Sequence, residues 1–149
     1  MQKNQNAKPQ SESKVLVMPG ANGQPPKHIV LTGKTLGKGQ YGVVHYAHMQ
    51  DDHNKVFAVK VIDRKRVKGA KALQNLQNEI AIMAEIRSPN VVALRDATKT
   101  MSNFYLVMEL CNGGDLQTLC ALRNGYLKEE EARSILRQMV RGIAAIKAK

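Results

Sequence analysis

Tryptophan is absent from the sequence, and aromatic residues make up only 4% of its 149 positions. Proteins that hold single-stranded nucleic acid stack its bases on aromatic side chains, so this scarcity argues against such a platform. Cysteine is almost as rare, because Cys111 and Cys120 are too few for a disulfide framework or a zinc site. We therefore expect reduced thiols and a cytosolic or nuclear protein, and we predict the cytoplasm.

Long apolar runs and acidic residues are also in short supply. No uninterrupted apolar stretch approaches the ~20 residues that cross a bilayer, and the polar start of the chain is unlike a secretory signal. We predict no membrane span. The 12 acidic and 23 basic residues leave a net charge of +11. Such an excess suits acidic partners, but charge alone is weak evidence, and we expect no nucleic acid.

Apolar residues, at 43% of the chain, suffice for a packed core. Residues 1–28 differ from the rest, because Gln, Asn, Lys, Ser, Pro and Gly dominate there and leave little apolar surface to bury. We expect a disordered basic tail over this range. Its one apolar run, at 15–18, is either a short docking strand or, with more weight, an exposed extended stretch.

Runs rich in β-branched residues begin at Ile29, Val43 and Val56, and short turns separate them. Short turns between successive strands indicate an antiparallel meander. Two further strands are expected around residues 91–94 and 104–109. The sequence therefore predicts a five-stranded antiparallel sheet within residues 29–112.

Helical periodicity follows the third strand. Apolar residues spaced three or four apart predict one long helix over residues 70–87 that packs on the sheet. A short helix is expected from Asp115, and a second long one over residues 129–149. The fold class is therefore α+β. The stripe of the last helix consists of Ile135, Leu136, Met139, Val140, Ile143 and Ile146.

A glycine-rich turn, Gly37-x-Gly39-x-x-Gly42, joins the first two strands. A strand follows it rather than a helix, so it is not the dinucleotide-binding arrangement, which needs a helix N-terminus after the turn. Glycines in such a hairpin allow backbone N–H groups to close over phosphate oxygens, because no Cβ holds the backbone away. A tight hairpin without a ligand is an equally weighted alternative.

Lys60 stands in the middle of an apolar strand, where burying an unpaired ammonium costs several kcal/mol. Glu79 stands beside the apolar stripe of the long helix, where a carboxylate is equally out of place. We expect the two charges to lie within about 4 Å of each other in an active arrangement. The alternative is that Lys60 extends to solvent and Glu79 is a surface residue.

Taken together, these motifs resemble the eukaryotic protein kinase family over about residues 29–149. A glycine-rich loop, a strand lysine and a helix glutamate occur in the order and spacing of that family. The phrases that resemble it most are Leu36-Gly37-Lys38-Gly39-Gln40-Tyr41-Gly42-Val43-Val44, Phe57-Ala58-Val59-Lys60, Asn78-Glu79-Ile80 and Tyr105-Leu106-Val107-Met108-Glu109-Leu110-Cys111-Asn112-Gly113-Gly114-Asp115-Leu116. Within the family the chain is most similar to the Unc-51-like, autophagy-initiating Ser/Thr kinases.

The resemblance implies an ATP site and a role for each matching residue. Lys60 would contact the α- and β-phosphates and Glu79 would hold it, Met108 would be the gatekeeper, and Met83 and Leu94 would belong to an internal apolar stack. The carbonyl of Glu109 and the N–H of Cys111 would bind the adenine edge, and Asp115 the ribose. The other residues expected around the nucleotide are Leu36, Gly37, Lys38, Gly39, Gln40, Tyr41, Gly42, Val44 and Ala58.

The resemblance also implies a division of the chain. Residues 29–112 would be the ATP-binding small lobe, and residues 113–149 the loop and first helices of a truncated large lobe. The family's His-Arg-Asp and Asp-Phe-Gly segments, which supply the base and the Mg²⁺ ligands, do not occur in the sequence. We expect an inactive fragment of a kinase that uses ATP and Mg²⁺ on protein hydroxyls, with no metal ligand of its own.

Two alternatives remain open. One is a non-catalytic regulator built on half a kinase domain. The other is a basic interaction protein, supported by the cations of Arg64, Lys65, Arg66, Lys68 and Lys71. A charged loop of this kind is more often only a solvated surface.

Overall fold

A computed structural model describes residues 13–20 and 23–149. It contains six strands and three α-helices. The strands are β1 (Lys14–Met18), β2 (Lys27–Lys38), β3 (Gly42–Met49), β4 (Val56–Asp63), β5 (Leu94–Lys99) and β6 (Asn103–Glu109). The helices are α1 (Ala70–Glu85), α2 (Leu116–Leu122) and α3 (Glu129–Lys147).

All six strands form one antiparallel sheet in the order β1-β2-β3-β4-β6-β5. The predicted α+β class and antiparallel meander are confirmed. The sheet has six strands rather than five, because the apolar run inside the expected tail pairs with β2. The expected disorder of residues 1–12 and of 21–22 lies outside the described residues.

The added strand β1 contributes to the core. Its Leu16 and Met18 are buried, whereas Val15 and Val17 are exposed on the opposite face. This alternation has the period of two that is typical of a half-buried strand. Of the two interpretations of this run, the docking strand is the one that the structure has, and the expectation of an exposed stretch is wrong.

The sheet curls around its own apolar interior. Side chains of β1, β2, β3, β4 and β6 meet inside the curl. Because each strand gives alternate residues to this interior, the register fixes which face of every strand is buried. The buried members are Leu16, Met18, Ile29, Leu31, Ala47, Val59, Tyr105 and Val107.

Two polar contacts close the curl between strands that are not neighbours. The Lys14 ammonium donates to the Tyr105 hydroxyl at 2.7 Å and lies 5.2 Å from the centre of its ring. At the other side, Lys27 on β2 and Asp96 on β5 form an ion pair of 4.0 Å. Both pairs are partly exposed, so they add little to stability beyond orienting β1 and β2 against the far strands.

Helix α1 packs on the outer face of the sheet, against β4, β5 and β6. Leu76 is buried against Ile62, Phe104 and Leu106, and the flanking Leu73, Ile80, Met83 and Leu94 pack around them. The predicted stripe is thus confirmed, although the helix ends two residues earlier than expected.

The fourth predicted strand was placed too early. Residues 88–91 form a turn in which the Val91 N–H donates to the Ser88 carbonyl at 3.3 Å. The strand begins only at Leu94 and alternates between half-buried and exposed residues. Its polar sequence is that of an edge strand, which an apolar pattern does not reveal.

Helices α2 and α3 are joined by an Arg123–Glu131 contact, which holds the pKa of the Glu131 carboxyl below its ordinary value. Helix α3 meets the rest of the molecule at Gly142, where an added Cβ would lie 2.7 Å from the Asn90 carbonyl oxygen.

Within residues 13–20 and 23–149, no helix combines the length and apolar character needed to cross a membrane.

The apolar stripe of α3 is largely uncovered. Five of its side chains are exposed to between 47% and 62%. Contiguous apolar surface of this kind favours association. These five are Leu136, Met139, Val140, Ile143 and Ile146.

The first prediction tests the role of β1. Met18→Ala should lower the free energy of unfolding by about 2–5 kcal/mol, because Met18 is completely buried. Val17→Ala is the matched control, and should cost less than about 1 kcal/mol because Val17 lies on the exposed face. Urea denaturation measures both. Equal costs would show that β1 does not belong to the core.

The second prediction concerns the stripe of α3. The chain should self-associate as its concentration rises, and Val140→Gln with Ile143→Gln should shift it toward monomer. Arg137→Gln with Arg141→Gln changes the same helix outside the stripe and should leave association unchanged. Sedimentation velocity measures this, and a monodisperse unmodified monomer at high concentration would contradict the prediction.

Candidate functional site

The glycine-rich hairpin runs from the end of β2 to the start of β3. The Gly39 N–H donates to the Gly42 carbonyl at 2.8 Å and closes the turn. A Cβ at Gly42 would lie 2.0 Å from the Val61 carbonyl oxygen, so the close approach of β4 requires glycine there. At Gly37 a Cβ would meet nothing within 4 Å, and at Gly39 only one atom at 3.9 Å. The fold therefore explains one of these three glycines and leaves two unexplained.

The register of β3, β4 and β6 places the expected nucleotide-contacting side chains in two rows on one face of the sheet. Gly37 is paired with Val44, and Val44 with Lys60. Two residues before Lys60 on β4, Ala58 is paired with Met108 on β6. Partners across an antiparallel ladder point to the same side. Two strand spacings separate Gly37 from Lys60, or about 10 Å between backbones.

The expected ion pair between Lys60 and Glu79 is absent from this structure. No N···O distance of 4.0 Å or less joins them, although both belong to the described residues. Lys60 is half-buried on the sheet face, whereas Glu79 is exposed on α1. Helix α1 turns its leucine and isoleucine side toward β5 and β6, which leaves the Glu79 carboxylate in solvent.

The segment after β6, where the resemblance places the adenine contacts, is held by two interactions. The Glu109 N–H donates to the Ala93 carbonyl at 3.0 Å. The Arg95 guanidinium pairs with the Glu109 carboxylate at 3.3 Å. Cys111, two residues further on, is an exposed free thiol. The sequence did not reveal the Arg95–Glu109 contact, because 14 residues separate the two partners.

Asp115 has a structural role of its own as the N-cap of α2. Its Oδ1 accepts the Thr118 N–H at 2.7 Å, and this hydrogen bond holds the pKa of the Asp115 carboxyl below its ordinary value. Its expected contact with a ribose stays a prediction.

The structure brings most of the expected site residues to one region. Along the chain they occupy the end of β2, the turn, β3, β4 and the end of β6, with Asp115 after it and Glu79 apart on α1. Leu36 and Tyr41 are both about two-fifths exposed, and Ala58 is buried. In chain order these residues are Leu36, Gly37, Lys38, Gly39, Gln40, Tyr41, Gly42, Val44, Ala58, Lys60, Met108, Glu109 and Cys111.

Comparison with known proteins identifies the family of the chain. The family model of the protein kinase domain matches residues 30–149. The chain therefore belongs to the protein kinase family, and the predicted resemblance is confirmed.

Curated relatives are Ser/Thr kinases. The serine/threonine-protein kinase ATG1 of Saccharomyces cerevisiae is 40% identical over 95 residues, which are 64% of this chain and 11% of the relative. The CBL-interacting protein kinase 17 of Oryza sativa subsp. japonica is 37% identical over 113 residues, or 75% of this chain and 24% of the relative. The chain thus spans about a tenth to a quarter of the length of these relatives. The ATG1 match agrees with the predicted likeness to Unc-51-like kinases.

The third prediction distinguishes the glycine that the fold requires from the two glycines that it does not require. Gly42→Ala should destabilise the chain by about 1–3 kcal/mol, because the Val61 carbonyl leaves no room for a methyl group. Gly37→Ala and Gly39→Ala should each change the free energy of unfolding by less than about 1 kcal/mol. Thermal and urea denaturation measure all three. A large loss at Gly37 or Gly39 would mean that the fold, rather than a ligand, requires those glycines.

Proposed function

We propose that this chain is the ATP-binding part of a Ser/Thr protein kinase, which transfers the γ-phosphate of ATP to protein hydroxyls. In this proposal residues 29–112, together with β1 and the first residues of β2, form the nucleotide-binding lobe, and residues 113–149 the start of the large lobe. Family membership and the Ser/Thr kinase relatives support the activity. The proposed location is the cytoplasm, whose reducing conditions suit the free thiols of Cys111 and Cys120.

The observation that carries the proposal is the combination of a lysine with two unexplained glycines. Gly37 and Gly39 have open space where their Cβ atoms would be, so a ligand can approach their peptide groups closely. Lys60 lies two strands away on the same face. Backbone N–H groups and an ammonium are the kinds of hydrogen-bond donor that suit phosphate oxygens, and here they lie on one face of the sheet.

The remaining residues fit the other parts of ATP. In the proposal an adenine ring packs on half-buried Val44, the ladder partner of Lys60, above the buried Ala58 and its partner Met108 near the end of β6. In the proposal, the Glu109 carbonyl and the Cys111 N–H bind the edge of that ring. The Arg95–Glu109 ion pair and the Ala93 hydrogen bond hold this segment in place.

Glu79 would act as a positioning residue for Lys60. In the present arrangement its carboxylate is exposed and apart from the ammonium. Rotation or translation of α1 over its apolar contacts with β5 and β6 would be needed to join the two charges. Leu94 and Met83, which pack beside Leu76, would move with that contact.

Mg²⁺ bound to ATP would neutralise phosphate charge and polarise the γ-phosphate. The printed sequence contains no His-Arg-Asp or Asp-Phe-Gly segment, from which the family takes its base and metal ligands. The residues described above therefore account for nucleotide binding rather than for phosphoryl transfer.

The fourth prediction tests this site. ATP should bind the 149-residue chain with a dissociation constant above about 100 µM, because the metal-ligand contribution is missing. Lys60→Met should weaken binding about tenfold, as expected from the loss of one charge-assisted hydrogen bond. Gly37→Ala with Gly39→Ala should also weaken it. Competition of ATP against a ribose-labelled fluorescent ATP analogue measures these affinities.

Lys147→Met is the matched control, since it removes the same charge from an exposed position on α3. The affinity of the Lys147→Met variant for ATP should equal that of the unmodified chain. Equal losses for Lys147→Met and Lys60→Met would show only a general charge effect and would overturn the proposed site. Low-micromolar, Mg²⁺-dependent binding would contradict the expected weak affinity.

A further inference from the structure

Two histidines meet in the hairpin that joins β3 to β4, and neither belongs to the residues assigned to the nucleotide. His48 is the second-last residue of β3 and is half-buried, whereas His53 is exposed in the turn that follows. The centres of their rings lie 4.3 Å apart, and the ring planes are tilted by 55°. We call these two side chains the histidine pair.

One ring nitrogen of His48 is engaged by the backbone. Its Nδ1 lies 2.7 Å from the Met49 carbonyl oxygen, and because a carbonyl oxygen can only accept, Nδ1 must carry the proton. In the neutral ring the other nitrogen, Nε2, then has a free lone pair. Histidines that bind metals usually donate one ring N–H to a carbonyl or carboxylate and use the other nitrogen as the ligand. His48 therefore has the hydrogen bond that is typical of a metal ligand.

The spacing of the two rings suits two ligands of one ion. A metal–nitrogen bond of about 2.0–2.1 Å places the centre of each imidazole ring about 3.2 Å from the ion. Two such rings, at an angle of about 90–110° around the ion, have centres about 4.5–5.2 Å apart. The observed 4.3 Å is close to this range. A small rotation of the exposed His53 ring would therefore complete the geometry.

The hairpin holds the histidine pair together before any ion binds. The Met49 N–H donates to the Lys55 carbonyl at 2.9 Å, and the Asn54 N–H donates to the Asp52 carboxylate at 3.0 Å. The same carboxylate forms an ion pair of 3.6 Å with the Lys55 ammonium. Because these contacts fix the turn that carries His53, binding of an ion would cost little additional ordering.

The charge of this turn also suits a cation. Between residues 13 and 62, Asp51 and Asp52 are the only acidic residues, and both directly precede His53. A dication is therefore repelled less here than elsewhere in a chain of net charge +11. In the described part of the chain, no three His, Cys, Asp or Glu side chains form a group that could hold a metal ion. Water would thus fill the other coordination positions.

We propose that the histidine pair binds one late divalent transition-metal ion, such as Cu²⁺ or Zn²⁺, through Nε2 of His48 and one ring nitrogen of His53. Imidazole nitrogen suits these ions, whereas Mg²⁺ and Ca²⁺ take oxygen ligands. The site is thus distinct from the Mg²⁺ that accompanies ATP. The proposal differs from the sequence-based expectation of no metal ligand, because the sequence alone does not show that the two rings meet.

The fifth prediction uses the full chain with Cys111→Ser and Cys120→Ser, so that no thiol competes for the ion. Isothermal titration calorimetry should show one Zn²⁺ per chain, and Cu²⁺ should bind more tightly than Zn²⁺. His53→Gln and His48→Gln should each weaken Zn²⁺ binding at least tenfold, because a two-ligand chelate becomes a single ligand. An excess of Mg²⁺ should not displace the Zn²⁺.

His28→Gln is the matched control, since it removes an exposed imidazole of β2 that lies outside the histidine pair. It should change the affinity for Zn²⁺ less than twofold. Paramagnetic Cu²⁺ should broaden the backbone amide signals of residues 48–55 before all others. Equal losses for His28→Gln and His53→Gln, or stronger broadening elsewhere, would overturn the proposal. Absence of Zn²⁺ binding at millimolar concentration would also overturn it, because the two rings would then only pack against each other.

Discussion

The backbone ladder through β3, β4 and β6 sets the positions of Val44, Ala58, Lys60 and Met108, the side chains in the middle of the proposed nucleotide site. Because Val44, Lys60 and Leu106 are successive partners across it, their side chains share one face. A slip of one residue in β4 would turn Lys60 into the apolar interior and Val59 out of it. The burial of Val59 opposes such a slip, since leaving a valine exposed forfeits about 1.5–3 kcal/mol.

Because the sheet is curled, the N-terminal strand β1 packs against the strands whose register places Lys60. β1 covers one end of the interior with Leu16 and Met18, and Lys14 reaches across to Tyr105 on β6. Tyr105 and Leu106 are neighbours on β6 with opposite facings, one toward the interior and one toward α1. The packing of β1 thus supports the same strand that borders the nucleotide face.

Local patterns in the sequence predicted the elements whose signals are local. The spacing of glycines predicted the hairpin, the period of Leu73, Leu76 and Ile80 predicted α1, and the apolar run around Lys60 predicted β4. Each of these signals depends on neighbouring residues only. The glycine pattern alone could not distinguish Gly42, which the fold requires, from Gly37, because that depends on how closely another strand approaches.

The expectations that failed were those that depend on distant contacts. The strand β1 is stable only because the curled sheet offers it an edge to pair with and an apolar interior to fill. The sequence of residues 14–18 alone predicts neither. The start of β5 was misplaced because its polar residues suit an edge. The Lys60–Glu79 pair was expected only in an active arrangement and stays a prediction, because it requires a specific placement of α1 on the sheet, which the period of an apolar stripe does not determine. The spatial neighbours of Arg95 and Lys99 could likewise not be predicted before the pairing of the strands was known.

The most direct test of the nucleotide site is to add ATP to the ¹⁵N-labelled chain and record which backbone amide signals shift. The largest shifts should occur at Gly37, Gly39, Lys60 and Cys111, to which the proposal assigns contacts with ATP. Amides of α3 and of the positively charged residues 64–71 should stay in place. Shifts confined to residues 64–71, with none at the glycines or after β6, would mean that ATP binds only as an anion, and would contradict the account.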